Sequence, residues 1–161
     1  MPDAWDTSVA SRVHGRSRHA QLLAAHRRHE IPIALPAPVI QEVVRGLGGL
    51  RNEHDRSVLR WFSRLFRDEL TEVIRFDRRA AELSGRLLAR HPHPPTRNHR
   101  RQGTRAQQRA AWALDVQIAA CAFAGGYGLL TENVDDFGVL RHAIAELLPD
   151  APPLAVADAR V

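Results

Sequence analysis

The stretch Leu114–Phe137, "LDVQIAACAFAGGYGLLTENVDDF", decides how the chain reads. A run of small and apolar residues from Asp115 to Ala124 keeps helical spacing, with Leu114, Ile118 and Ala119 on an inner face that Asp115 borders. Gly125 and Gly126 stop that helix. "GYGLLT" then reads as a short buried strand, followed at once by Thr131, Glu132, Asn133, Asp135 and Asp136. Helix, glycine stop, apolar strand and acidic corner are the signature of a parallel sheet, in which sites form beyond the carboxyl ends of the strands.

The same rhythm recurs upstream. "DAW" is a candidate strand ending at Asp6, with Ser8 and Ser11 as candidate caps for the helix that follows. "RSRHAQLLAAHRRHE" places His19, Leu22, Leu23 and His26 on one helical face. "IPIALP" reads as a strand. "APVIQEVVRGLGG" reads as a helix whose stripe is Val39, Ile40, Val43, Val44 and Leu47, with Gly46, Gly48 and Gly49 at its end. "DRSVLRWFSRLFRDEL" groups Val58, Leu59, Phe62, Leu65, Phe66 and Leu70, an amphipathic helix. "TEVIRF" is a strand, and Asp77 caps a helix reaching Arg90, with Ala80, Ala81, Ser84, Leu87 and Leu88 inward. After the proline- and arginine-rich loop "HPHPPTRNHRRQG" a helix runs from about Arg105 to Ala124. "FGVLRHAIAELLPD" is mostly helical, and "PPLAVADA" supplies a final edge strand. The alternation predicts an α/β fold: a mostly parallel sheet of four or five strands flanked by helices on both faces. With no repeat and no long linker, the 161 residues form one domain.

Composition narrows the function. The chain is 44% hydrophobic and 25% charged, with a net charge of +5. All 23 basic residues other than histidine are arginine. Such a balance favours a polyanionic partner, nucleic acid or an acidic protein. Cys121 is the lone cysteine, so no internal disulfide is expected, which fits a reducing compartment. Neither a secretory leader nor a run of the ~20 apolar residues that span a bilayer is visible. These features predict a cytoplasmic protein with no membrane association.

Against that basic background stand four acidic positions distant in sequence. Asp6 follows the first strand. Glu42 flanks the stripe of its helix, about 60° around from Val39 at about 100° per residue. Asp115 borders the inner face of the long helix, and Asp136 follows the "GLLT" strand. Each alone is ordinary: a cap, a solvated helix residue, a loop acid. Gathered at one sheet edge, they repel unless a hard divalent cation compensates, and Mg²⁺ or Mn²⁺ takes such oxygen ligands together with substrate phosphate. An acidic centre set among arginines suits metal-assisted hydrolysis of a phosphodiester.

"DTSVA" at the N-terminus, "PAPVIQEVVRGL" and "LDVQIAACAFAGGYGLLTENVDDF", in that order, resemble the PIN-domain ribonucleases, specifically the VapC-type toxins of bacterial toxin–antitoxin pairs. The resemblance spans nearly the whole chain. It implies a metal-dependent endoribonuclease acting on tRNA or ribosomal RNA, a VapB-like antitoxin partner and a homodimer. It also implies catalytic roles for Asp6, Glu42, Asp115 and Thr131, with Asp6 and Asp115 at the metal. The chain departs from the pattern where relatives carry a fourth acid two residues after the threonine: here stands Asn133, and Asp136 or Asp135 would supply the carboxylate. The loop with Arg97, Arg100, Arg101 and Arg105 is longer and more basic than the family's and is expected to hold RNA phosphates. A non-catalytic PIN-like RNA- or protein-binding module is the alternative. A receiver-like signalling domain fits less well, since the chain has no lysine.

Other motifs point elsewhere than to chemistry. The glycines of "GGYG" follow a helix and precede a strand, the reverse of a phosphate cradle. Cys121 sits in apolar surroundings that suppress a thiolate. His91, His93 and His99 fall in one proline-rich loop and read as exposed histidines, with a zinc site the less favoured alternative. Arg56, Arg60, Arg64 and Arg67 share one helix face, either solvated or free to meet RNA or an acidic partner.

Overall fold

A computed structural model describes residues 2–14, 17–48, 53–95 and 103–160. Its strands are β1 (Asp3–Trp5), β2 (Ile33–Pro36), β3 (Thr71–Ile74), β4 (Gly128–Thr131) and β5 (Val156–Asp158). They form one sheet in the order β3-β2-β1-β4-β5, and every pairing is parallel. Five strands and strictly parallel pairing settle the expectation of four or five mostly parallel ones. Parallel neighbours need long crossovers. Here the described helices are α1 (Thr7–Ala10), α2 (Arg18–Arg28), α3 (Ala37–Gly48), α4 (Glu53–Leu65), α5 (Arg78–Arg90), α6 (Arg105–Gly125) and α7 (Val134–Leu147).

Burial along the strands shows how the sheet is covered. Successive strand residues point to opposite faces. All four residues of β2 are buried, so both faces of the sheet are covered there. The edge strand β3 buries only Ile74. Trp5, Phe62, Trp112 and Phe137 are the largest side chains wholly enclosed. Helix α6 packs on α3, α5 and α7 and on strands β2, β3 and β4. Its run Ile118–Ala122 is buried all round, as expected of a helix with no solvent face. The αL conformation at Gly126 (φ 78°) closes it, as the double glycine predicted.

Several local readings are corrected. Asp6, rather than Ser8 or Ser11, caps α1, and Ser17 caps α2. Gly46 lies inside α3 rather than ending it. Val44 is 39% exposed, so it borders the α3 stripe instead of joining the core. In α5, Ala81 faces solvent and Leu83 is buried. Leu70 lies past the end of α4. Helix α7 starts at Val134, earlier than its apolar run suggests, so Asp135 and Asp136 occupy a first helical turn. Carboxylates there oppose the partial positive charge of the helix N-terminus.

Candidate active site

The carboxyl edge of the sheet holds the candidate site because β1 and β4 are neighbours. Trp5 pairs with Leu130, and the Asp6 amide continues the ladder by donating to the Leu130 carbonyl at 3.0 Å. The residue after β1 therefore meets the end of β4. Asp6 is 4% exposed and caps α1. Its Oδ2 accepts from Ser8 Oγ and from Thr131 Oγ1, each at 2.8 Å.

Both hydroxyls are oriented by backbone. Thr131 Oγ1 accepts from the Asn133 amide at 2.9 Å, and Ser8 Oγ accepts from the Glu132 amide at 3.0 Å. An amide can only donate, so each hydroxyl hydrogen is turned toward Asp6. Two relays thus stitch the β1–α1 corner to the β4–α7 corner and converge on one carboxylate oxygen. Burial pushes the Asp6 carboxyl above its ordinary value of 3.8, and the hydrogen bonds from Ser8 and Thr131 pull against that rise.

The network extends to both sides. Asn133 Nδ2 donates to Asp136 Oδ2 at 2.8 Å, and Asp136 is 1% exposed. Of the two acids after Asn133, Asp136 is thus turned inward while Asp135 is exposed. Thr7 Oγ1 donates to Glu42 Oε2 at 2.7 Å, which fixes α3 against α1 and brings Glu42 beside the Asp6 corner. Glu42 and Thr7 line a groove of about 510 Å³ with Ser11, His14, His54 and Asp55, so the carboxylate faces space a substrate can enter. Asp115 is half-buried on α6 between Leu114 and Val116, and α6 packs on α3 and β4, which carry Glu42 and Thr131. Of the expected RNA-binding arginines, Arg105 is exposed at the start of α6, about 15 Å along the helix axis from Asp115 at 1.5 Å per residue. Arg97, Arg100 and Arg101 lie outside the described residues, as does His99.

Two groups of side chains at this edge had no site role in the sequence reading. Thr7 was visible only as part of "DTS", and Ser8 only there and as a candidate cap, yet they hold Glu42 and Asp6. Glu132 pairs with Arg12, and its Oε1 lies 3.2 Å from His19 Nε2, off the line a hydrogen bond needs. The signal for the hydroxyls was the Asp-Thr-Ser order at a strand end. Nothing local marked Arg12 or His19 as partners of Glu132; they come to it from the turn after α1 and from α2 by folding alone. Cys121 is excluded as a nucleophile, because burial and the nearby Asp77 push its thiol up to about 12.

The donors gathered at this edge are carboxylate, amide and hydroxyl oxygens, a set suited to a hard cation. Among the described residues no three Asp, Glu, His or Cys side chains form a ready-made cage for a metal ion. What fits is Mg²⁺ or Mn²⁺ held by one or two carboxylates, with water and substrate phosphate at its other positions.

The PIN domain family model matches residues 5–143, from the strand end before Asp6 through most of α7. The chain belongs to the PIN domain family. Solved structures share the fold of this PIN domain across nearly its full length. A chain of VapBC2 from Rickettsia felis, bound to a DNA fragment from its promoter, superposes with a TM-score of 0.60 at 20% identity, covering 98% of both chains. A chain of DNA-bound VapBC from Salmonella typhimurium gives 0.61 at 16% identity, again covering 98% of each. A chain of VapBC-5 from Mycobacterium tuberculosis, a member of the VapBC family of toxin–antitoxin systems, gives 0.53 at 21% identity, covering 99% of this PIN domain and 98% of its own chain. Among the curated proteins no sequence match is found. No described helix of the PIN domain is long and apolar enough to cross a membrane.

Proposed function

We propose that this PIN domain is a metal-dependent endoribonuclease, the toxin of a VapBC-type pair, which hydrolyses phosphodiesters of tRNA or ribosomal RNA. The observation that carries the reading is the convergence of Ser8 and Thr131 on buried Asp6, with Glu42 and Asp136 tied into the same edge. A buried carboxylate whose pKa is raised stays in place only if the fold over-determines it, and perturbed acids of this kind mark functional sites.

Asp6 and Asp115 would hold Mg²⁺ or Mn²⁺, which supplies charge stabilisation at the scissile phosphate and an acidified water. Ser8 and Thr131 hold the Asp6 carboxylate in one orientation through Oδ2, which is how it would be kept in place to bind the cation. Glu42, anchored through Oε2 by Thr7, orients the attacking water and takes its proton. Thr131 fixes Asn133, whose amide holds Asp136 in position; that pair takes the place of the family's fourth acid. Arg105 and the arginines of the preceding loop neutralise phosphates flanking the cut. The +5 net charge suits both RNA and an acidic antitoxin segment, and we place the working protein in the cytoplasm as a homodimer bound by a VapB-like antitoxin.

Water attack leaves 5′-phosphate and 3′-hydroxyl ends, whereas histidine acid–base catalysis through the RNA 2′-hydroxyl leaves a cyclic phosphate. End-group mapping of cleaved tRNA with and without EDTA tests the reading. Cyclic ends, or cleavage indifferent to EDTA, would sink the metal mechanism. One observation favours a second reading, a non-catalytic RNA- or protein-binding module: Asn133 stands in place of an acid. RNA retention without cleavage by the intact protein in Mg²⁺ or Mn²⁺ would decide for it.

A further inference from the structure

A second groove, of about 410 Å³, runs along the outer flank of α7, and the mechanism above does not use it. Val134 and Val139 supply apolar lining, while His91, His142, Asp135 and Glu146 supply polar groups. Its volume lies within the range of about 300–1,000 Å³ typical of small-molecule sites. It adjoins the acid cluster at two points. Asp135 precedes buried Asp136 in the first turn of α7. The His91 carbonyl accepts from Trp112 Nε1 at 2.7 Å, and Trp112 lies about 4.5 Å along the α6 axis from Asp115 at 1.5 Å per residue.

The chemistry of the lining selects what can enter. His142 Nδ1 lies 2.7 Å from the Gly138 carbonyl, which can only accept, so Nδ1 carries the hydrogen and Nε2 of the neutral ring is an acceptor. Glu146 follows His142 by four residues and shares its helix face. Asp135 adds a further acceptor, though Arg160 acts on its charge. A groove bordered by two carboxylates repels a phosphate. It suits an uncharged, flat group that donates hydrogen bonds and stacks on imidazole. Unstacked nucleobases of single-stranded RNA are recognised in this way, on aromatic faces and through their edges. Guanine alone among the four bases presents two adjacent donors, N1–H and the 2-amino group, matched to the two oxygens of one carboxylate.

Resting on the reading of this protein as an RNA-cleaving enzyme, we infer that the α7 groove is a nucleobase subsite that holds a guanine flanking the scissile phosphate. His142 and His91 stack on the base, and Glu146 reads its edge. The first test needs no cleavage. Histidine imidazole resonances are followed while the intact protein is titrated in EDTA with 5′-GMP, 5′-AMP or inorganic phosphate. GMP is expected to shift His142 and His91 more strongly than AMP. Glu146→Gln is expected to weaken GMP about tenfold, toward the low end of what a bidentate base contact carries. Equal shifts from GMP, AMP and phosphate, or a GMP affinity untouched by Glu146→Gln, would overturn the subsite even if the protein proves to be a ribonuclease. The second test maps cleavage ends on a randomised RNA. Guanine enrichment at one position beside the cut, falling in Glu146→Gln relative to the other three bases, supports the subsite. An unchanged base preference in that variant overturns it. If wild type cuts nothing, the ribonuclease reading fails, and the nucleotide titration still decides whether the groove takes guanine.

Discussion

Two clusters of charge in this protein invite comparison: the corner at Asp6 and the arginine face of α4. At the corner the carboxylate is buried, each of two hydroxyls is oriented by a backbone amide, and three segments converge. On α4, Arg56 and Arg60 reach the same exposed Glu53, at 3.6 and 2.8 Å, from positions open to solvent. Exposed pairs of that kind are screened and contribute little. Burial and a fixed hydrogen-bond direction separate the two clusters, and only the first can hold a reacting group in one geometry.

The largest effect expected from breaking the corner is on catalysis. Asp6→Asn keeps a competent helix cap but removes the charge. RNA cleavage should fall by more than the about 100-fold that loss of an outer partner costs a metal site, with the far-UV spectrum unchanged. Activity near wild type would remove Asp6 from the site. Glu42→Gln keeps the shape of the acid and removes its basicity, and cleavage rates should fall by roughly 10²–10⁴-fold. A fall in RNA affinity with an unchanged rate constant would instead make Glu42 a binding residue.

Thr131→Val should cost less catalytically, about 10–100-fold. It should also destabilise the fold by about 1–3 kcal/mol, because the Asn133 amide and Asp6 each lose a buried partner. Denaturant titration checks the second figure. Ser8→Ala, which breaks the parallel relay, should behave the same way, and a silent Ser8→Ala would show that the two relays are not equivalent.

Asp6 also links stability to pH. Its folded pKa lies above the ordinary 3.8, so the native state binds the proton more tightly. The stability this contributes is complete below about 3.8 and is lost as pH rises through the folded pKa. In metal-free buffer at pH 7, Asp6→Asn should therefore melt higher than wild type, by an amount on the order of 1 kcal/mol for each unit by which the pKa is raised. The advantage should vanish at pH 3. A variant less stable than wild type at pH 7 would mean that the hydroxyl bonds outweigh the buried charge.

Asn133→Asp sharpens the comparison, because it adds a carboxylate beside Asp136. Without metal the like charges should lower the melting temperature, and Mg²⁺ should restore it and bind more tightly than in wild type. Stabilisation without metal would show that the pair is not close to a cation site. The smallest effect belongs to the α4 face: Arg56→Gln with Arg60→Gln should leave the melting temperature within experimental error. A clear drop would mean that this surface is more than solvated.

How far the sequence reached depended on whether a signal was local. The glycine stop after α6, the Asp77 cap and the strands "IALP" and "GLLT" were legible because period and capping chemistry act over a few residues. The start of α7 was misread, since Asp135 and Asp136 resemble a loop until helix polarity is considered. At the site, Asp6, Thr131, Asn133 and Asp136 fall in one hydrogen-bonded chain, whereas the partnership of Thr7 with Glu42 across 35 residues had no local mark.

The amino-acid sequence by itself determined that strands alternate with helices, that the sheet is parallel, and which acids lie near strand ends. These follow from side-chain periodicity and from the crossovers that parallel pairing demands. The tertiary structure decided that β1 lies beside β4, and therefore that Asp6 meets Thr131 across a sequence separation of 125 residues. It also decided that Asp136 is turned inward and Asp135 is exposed. Strand order and burial arise from packing the whole chain at once, and no window of residues contains that information.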